Sequence, residues 1–406
     1  MKIHASVLAL ALALAVALAA APVAAQDGST DPQLLIRARR VLDRVPVIDG
    51  HNDLPSELLK VGGDPAKFDL IRRQDVFMTD IPRLRAGRVG AQFWSAYISN
   101  DSIPTGASMR EALRQIDMVH RLVRQYPRQL ELARTAADIE RIRRQGKIAS
   151  LIGVEGGHAI ENTLSGLRML YELGARYMTL THNTTLAWAD AASDVSRNDG
   201  LSTFGEEVVR EMNRLGMFVD LSHVSPETMR DALRVSTAPV IFSHSSTRAL
   251  VDHVRNVPDD VLRMLPQNGG VIMITFVPSF VNRANMAWEA RRESLMKQLQ
   301  TEVQDRAAMR NRLAEWEAAN PWPPVTVGDV ADHIDHARRI AGIDHIGIGS
   351  DFDGIGRGPT GLTDVSMFPN LFAELLRRGY SEADLRKIAG ENLLRAMKQM
   401  ERVRSN

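Results

Sequence analysis

No cysteine occurs anywhere in the 406 residues. That absence excludes disulfide scaffolds, Cys-ligated zinc, iron–sulfur clusters and thiol nucleophiles together. Any metal must therefore be held by His, Asp and Glu. Net charge is nearly absent as well: 50 Lys+Arg oppose 49 Asp+Glu. The sequence lacks the clustered positive charge that binding to nucleic acid or to an anionic membrane surface requires. No Gly-rich phosphate loop follows an early strand, which counts against a doubly wound nucleotide-binding sheet. The G-x-S-x-G nucleophile elbow is missing too, so Ser243-His244-Ser245 does not read as part of a serine hydrolase. Past the N-terminus there is no second long apolar run, internal repeat or low-complexity tract.

What is present begins with a targeting pattern. Lys2 and His4 precede an apolar run from Val7 to Pro22, and Val23-Ala24-Ala25 supplies small residues for cleavage. This is the layout of a secretory signal peptide over residues 1–25. The run is shorter than the ~20 residues of a membrane span, and no cysteine can carry a lipid. The expectation is an exported chain, periplasmic or secreted, with no stable membrane anchor after cleavage near Ala25.

Residues 26–406 alternate short β-branched runs with helix-period segments, the signature of βα units. Eight strands are expected: Val45–Asp49, Val89–Tyr97, Ala149–Val154, Tyr177–Thr181, Met217–Leu221, Val240–Phe242, Val271–Phe276 and His345–Gly349. Several are nearly continuous apolar runs, as parallel strands covered on both faces should be. Helical segments lie between most of them, among them Ser225–Val235 with Ser225 as N-cap and Pro226 at N1. A long charged helical stretch, Asn285–Glu317, ends in Asn320-Pro-Trp-Pro-Pro324 and reads as an insertion (285–324) between strands seven and eight. The expected architecture is a single α/β domain, a (β/α)8 TIM barrel carrying that helical insertion.

Barrel enzymes work at the C-terminal ends of the strands. Strand one ends in Asp49-Gly-His51-Asn-Asp53, where His51 and Asp53 alternate by two and share a side in an extended segment. Strand three ends in Glu155, flanked by glycines; a carboxylate directly after a buried run is costly unless paired or bound to a cation. Its two oxygens can bridge two metals, which an imidazole cannot do. Strands four, five, six and eight lead into His182, His223, His244 and Asp351. Six of eight strands thus end in a His or an acid, and independent structural roles would not all select one barrel face. His120, His253, His333, His336 and His345 lie elsewhere and read as structural or solvent-facing, and His158 as a supporting residue at most.

Together these residues resemble the membrane (renal) dipeptidase family. The resemblance rests on Asp49-Gly-His-Asn-Asp53, Gly153-Val-Glu-Gly-Gly157, Leu180-Thr-His-Asn183, Asp220-Leu-Ser-His223, Phe242-Ser-His-Ser245, Arg255-Asn-Val-Pro258, Gly349-Ser-Asp-Phe-Asp-Gly354 and Gly390-Glu-Asn-Leu-Leu-Arg395, in the family's order from about Val45 to Met397. It implies a barrel with two Zn2+ per chain: His51 and Asp53 on one, His223 and His244 on the other, Glu155 bridging both. It further implies that His182 contacts substrate and stabilises the tetrahedral intermediate. Arg255 would pair with the dipeptide's C-terminal carboxylate, and Asp351 would hydrogen-bond the metal-bound water and the substrate amine and shuttle the proton. A metal-bridging hydroxide would be the attacking group, dipeptides the substrates (including those with a C-terminal D-residue), and a homodimer the assembly. The segment around Trp188-Ala-Asp190 departs from the family string at Thr185, Ala187 and Ala191, which bears on the substrate pocket and not on the metal ligands. Two alternatives stay open: a related binuclear amidohydrolase acting on another amide or lactam, and a non-catalytic binding protein on the same barrel.

Overall fold

The computed structural model describes residues 31–64, 67–303 and 305–404. The signal-peptide expectation lies outside the described residues. Nine parallel strands form one sheet: β1 Val47–Asn52, β2 Val89–Tyr97, β3 Leu130–Leu132, β4 Ile148–Glu155, β5 Ala175–Thr179, β6 Phe218–Asp220, β7 Ile241–Ser245, β8 Val271–Ile274 and β9 Ile346–Ile348. Pairing runs β2-β1-β9-β8-β7-β6-β5-β4, and β2 also pairs with β4 from Ala91↔Ala149 to Tyr97↔Glu155, which closes the barrel. Eight strands therefore form the staves, with helices between them, as a (β/α)8 barrel requires.

The ninth strand was not expected. The short β3 lies beside the start of β4, from Leu130↔Ile148 to Leu132↔Ser150, below the point where β5 begins pairing at Ile152↔Ala175. It covers backbone groups on β4 that the shorter β5 leaves open. Three helices also escaped the sequence reading, Leu54–Lys60, Ile81–Ala86 and the short Pro278–Val281. The expected long helical stretch is two helices, Arg283–Glu302 and Arg306–Ala319. Val303 turns to an extended backbone, and Asp305 caps the second helix through Ala307 N at 2.8 Å. The two are joined by stacked Trp288 and Trp316 and by an Arg292–Glu317 ion pair at 2.6 Å.

Side-chain alternation along each stave sorts two cores. On β4, Ile152 and Val154 face the helices with Leu167 and Leu170. Ala149 and Leu151 face inward, where Phe93, Tyr177, Phe218, Ile241 and Met273 pack together. Gly153 continues the inward row, and a Cβ there would lie 1.9 Å from the Tyr177 ring. The missing side chain lets Tyr177 cross the barrel interior. Glu155 ends the same row, so the inward register of β4 delivers a carboxylate to the barrel's C-terminal mouth.

Candidate metal centre

All the residues singled out at strand ends arrive at that mouth. His51 lies in β1 and Asp53 directly after it; Glu155 ends β4, and His244 lies within β7. His182, His223, Arg255 and Asp351 stand on the loops after β5, β6, β7 and β9. His223 and Asp351 hold left-handed backbones, φ +69° and +65°. Such conformations cost of order 1–3 kcal/mol in a non-glycine residue and persist where the surroundings over-determine them. All of these except His182 and Asp351, which are slightly more open, are buried.

Glu155 is the centre of the arrangement. Its Oε1 lies 3.0 Å from His223 Nε2, 3.5 Å from His244 Nε2 and 4.0 Å from His182 Nε2. Its Oε2 lies 3.5 Å from His51 Nε2 and accepts from Ser95 Oγ at 3.1 Å. His51 Nε2 is in turn 3.1 Å from Asp53 Oδ2 and 3.9 Å from Asp351 Oδ1.

The far side of each imidazole settles what its near side can do. His223 Nδ1 faces Asn183 Oδ1 at 3.1 Å, an acceptor, so Nδ1 carries the proton and Nε2 presents a lone pair. His244 Nδ1 faces Ser243 Oγ at 2.9 Å, and that hydroxyl donates onward to Asp220 Oδ2 at 2.7 Å. The serine oxygen must then accept from His244, which again leaves an inward lone pair. His51 Nδ1 meets the Tyr177 hydroxyl at 2.9 Å. His182 is the opposite case. The Asn100 amide nitrogen lies 3.5 Å from its Nδ1, an arrangement compatible with Nε2 carrying the proton toward the cavity.

Two imidazole lone pairs therefore meet at 3.0 Å, His223 Nε2 against His244 Nε2, with a carboxylate oxygen beside them. The Arg255 guanidinium offsets part of this repulsion by donating from Nη2 to His244 Nε2 at 2.9 Å, the atom a metal would take. His51 Nε2 is buried and makes no hydrogen bond despite its three carboxylate neighbours. Burial and the nearby Arg255 guanidinium hold His223 and His244 well below the usual imidazole range. Both are thus neutral, as metal ligands must be. For His51, burial opposes charge, but Tyr177 and the Glu155 and Asp53 carboxylates outweigh it and raise its pKa well above the usual value. A metal must displace that proton. Glu155 is also buried, yet His51 and His223 hold it well below the usual carboxylate range. His, Asp and Glu at this density form three overlapping groups suited to a metal: His51, Glu155 and His244; Glu155, His182 and His223; His51, Asp53 and Asp351. The donor set fits divalent cations of the zinc type.

Around the ligands opens a cleft of about 710 Å³. Arg255 enters it buried, with Nη2 donating to His244 Nε2 at 2.9 Å and Nη1 without a partner. Burial pulls its pKa down to about 10, still cationic at neutral pH. Asp351 is held well above the usual carboxylate range by burial and by the Asp53 and Glu155 carboxylates. Below the cleft, Asp49 accepts from Ser350 N, Ser350 Oγ and Gln92 Nε2, tying β1 to β9 and β2; burial pushes it up to about 6.

The whole chain from residue 35 to residue 406 matches the model of the membrane dipeptidases, peptidase family M19. The chain belongs to that family. It is accordingly a dipeptidase of the metallopeptidase class. Among solved structures it is similar to the probable dipeptidase PvdM of Pseudomonas aeruginosa, with 23% identity and TM-score 0.79, over 91% of this chain and 99% of that one. It is also similar to a metallopeptidase of Rhodobacter sphaeroides liganded with a phosphinate mimic of the dipeptide L-Ala-D-Ala. There identity is 25% and TM-score 0.70, over 88% of this chain and 99% of that one.

Several features of this dipeptidase were not singled out from its sequence. Tyr177 sits in an apolar strand and reads as core, since its partner His51 is 126 positions away. Ser95 on Glu155 and Asn183 on His223 carried no assigned role. His253, expected to be structural or solvent-facing, lines the cleft and stacks on Phe280 at 4.3 Å. Glu293 brings the helical insertion to the cleft rim. His158 is buried beside the site, with Nε2 donating to Ile98 O at 3.2 Å and burial lowering its pKa to about 4.

Proposed function

We propose that this family member is an exported zinc dipeptidase that accepts dipeptides with a free C-terminal carboxylate, including those ending in a D-residue. The observation that carries the metal assignment is the convergence of three imidazole Nε2 atoms on the two oxygens of Glu155. His51 and Asp53 would hold one zinc and His223 and His244 the other, with Glu155 touching both. Bound there, the metal pair would supply Lewis-acid polarisation of the scissile carbonyl and a water acidified enough to attack at neutral pH. Export is supported by the Lys2-to-Ala25 pattern.

The remaining steps belong to the chain's own residues. Arg255, with Nη1 unpartnered in the cleft, pairs with the substrate carboxylate and fixes the peptide's direction. His182 presents Nε2–H to the oxyanion as the carbonyl carbon becomes tetrahedral. Burial and the flanking Arg255 lower its pKa, which keeps it a neutral donor. Asp351, made a stronger base by its burial and carboxylate neighbours, takes a proton from the attacking water in its carboxylate form and returns it to the leaving nitrogen. The amine departs, and its amino acid leaves through the open side of the cleft.

A dipeptide panel that includes L-Xaa-D-Ala tests the reading. Turnover of dipeptides by the zinc-loaded protein, with little on N-acylated or C-terminally amidated versions, is expected. In Arg255→Ala, kcat/KM for dipeptides should fall about 100-fold, while C-terminal amides lose little. Equal losses would remove Arg255 from carboxylate recognition, and intact metal without dipeptide turnover would favour another amide as substrate.

A further inference from the structure

The segments that line the cleft differ in character. Those after β1 and β9 bring charge, with Asp53, Glu57, Lys60, Asp351 and Asp353. Those after β7 and β8 bring Val254, Val277 and Phe280 to the same cleft, around Arg255. Val254 directly precedes Arg255 and leaves 47% of its surface open. A single exposed valine is ordinary. One that lines a cleft together with Val277, Phe280 and the arginine assigned to the substrate carboxylate forms an apolar wall where a ligand must pass.

Phe280 is fixed in register with that arginine by two contacts. The Arg255 guanidinium carbon lies 5.4 Å from the centre of the Phe280 ring, within the reach of a cation–π contact. The His253 ring stacks on Phe280 at 4.3 Å, and its Nδ1 accepts from Arg255 N at 3.2 Å. Burial and the Arg255 and Arg248 guanidiniums lower the pKa of His253 to about 4, so this imidazole adds no charge at neutral pH. Glu293, from the insertion that follows β8, is engaged by Lys297 at 2.7 Å.

In a dipeptide the C-terminal side chain and the carboxylate leave the same carbon. With the carboxylate on Arg255, that side chain falls against the residues flanking the arginine. Val254, Val277 and Phe280 have no side-chain group that can hydrogen-bond, so an amide or hydroxyl buried against them is penalised. An aliphatic or aromatic side chain gains with the area it covers.

We propose that Val254 and Phe280 are specificity-determining residues that receive the side chain of the dipeptide's C-terminal residue, and that the preferred substrates are dipeptides in which this side chain is apolar. This deepens the dipeptidase reading and rests on it: Arg255 takes the carboxylate, and the wall beside it selects what the same carbon carries.

The test compares alanyl-leucine with alanyl-asparagine, whose C-terminal side chains are close in size and differ in polarity. Each is offered with an L- and a D-residue at that end, and the better-cleaved form is used. In the wild-type protein kcat/KM for the leucine substrate should exceed that for the asparagine substrate about tenfold or more. Val254→Asn should lower this ratio at least about fivefold, while the ratio of leucyl-alanine to asparaginyl-alanine stays within about threefold of wild type. Phe280→Ala should lower the first ratio in the same direction, and serves if the Asn variant does not fold. Equal wild-type turnover of the leucine and asparagine substrates would overturn the assignment, as would a change confined to the N-terminal pair. If the wild-type protein cleaves no dipeptide, the functional reading itself fails. If it cleaves dipeptides without this preference, only the role of Val254 and Phe280 falls.

Discussion

Tyr177→Phe separates metal affinity from catalysis more cleanly than any ligand substitution. The ring stays in the space left by Gly153, so the barrel interior is undisturbed. Only the hydroxyl 2.9 Å from His51 Nδ1 is lost, at a fully buried position. His51 then keeps a buried Nδ1–H with no acceptor, at a cost of about 1–3 kcal/mol. Each 1.4 kcal/mol is about a factor of ten, so the metal on His51 and Asp53 should bind roughly 10- to 100-fold more weakly, the range typical of groups that orient a ligand. The assay is residual activity against free zinc set by a chelator series. The Phe curve should move to higher zinc by that factor and reach nearly the wild-type plateau, because Tyr177 touches no substrate group. Superimposable curves would refute the claim that the hydroxyl holds His51 as a ligand, as would a collapsed plateau at saturating zinc with an unshifted midpoint.

Other perturbations probe other parts of the account. Gly354→Ala would place a Cβ 2.4 Å from both Asp351 Oδ1 and Asp53 Oδ2; activity should fall about 100-fold or more as the carboxylates are pushed off geometry, with circular dichroism and the melting curve close to wild type. His333 is buried with Nδ1 accepting from Thr247 N and Nε2 donating to Val281 O, and burial lowers its pKa from 6.5 to about 4. The unfolded chain then binds more protons between these values, so the contribution is present above pH 6.5 and lost as pH falls toward 4, by up to roughly 3 kcal/mol. Denaturant melts of His333→Gln across that window should show a flatter pH slope than wild type; identical slopes would remove His333 as a cause. Asp190 accepts from Ser196 Oγ and the Arg197, Asn198 and Gly200 amides, ordering the loop that carries Asn183 to His223. Asp190→Ala should destabilise the fold by about 3 kcal/mol or more and weaken zinc binding, measured by urea melts and chelator competition.

The barrel was legible because the staves are short apolar runs, most of them leading into polar residues, and that pattern survives in one dimension. The cluster at its mouth was legible for the same reason: His51, Glu155, His223 and His244 each sit at or within a few positions of a strand end. Tyr177 was hidden by its own strand, where a buried aromatic is the ordinary expectation. Only the gap at Gly153, visible once β4 and β5 are paired, shows that its hydroxyl crosses to His51. The strand β3 is three residues long, too short for a periodic signal. The end of the first helix at Glu302 was invisible because Val303 is tolerated in either state; it shows only where Trp288 on that helix meets Trp316 on the next.

The binuclear centre is tested most directly by counting metal. Purified protein should bind two zinc ions per chain by elemental analysis after reconstitution and dialysis, and Glu155→Gln should lower that number with loss of dipeptide hydrolysis. Less than one tightly bound divalent ion per wild-type chain, even after zinc is supplied, would contradict the account.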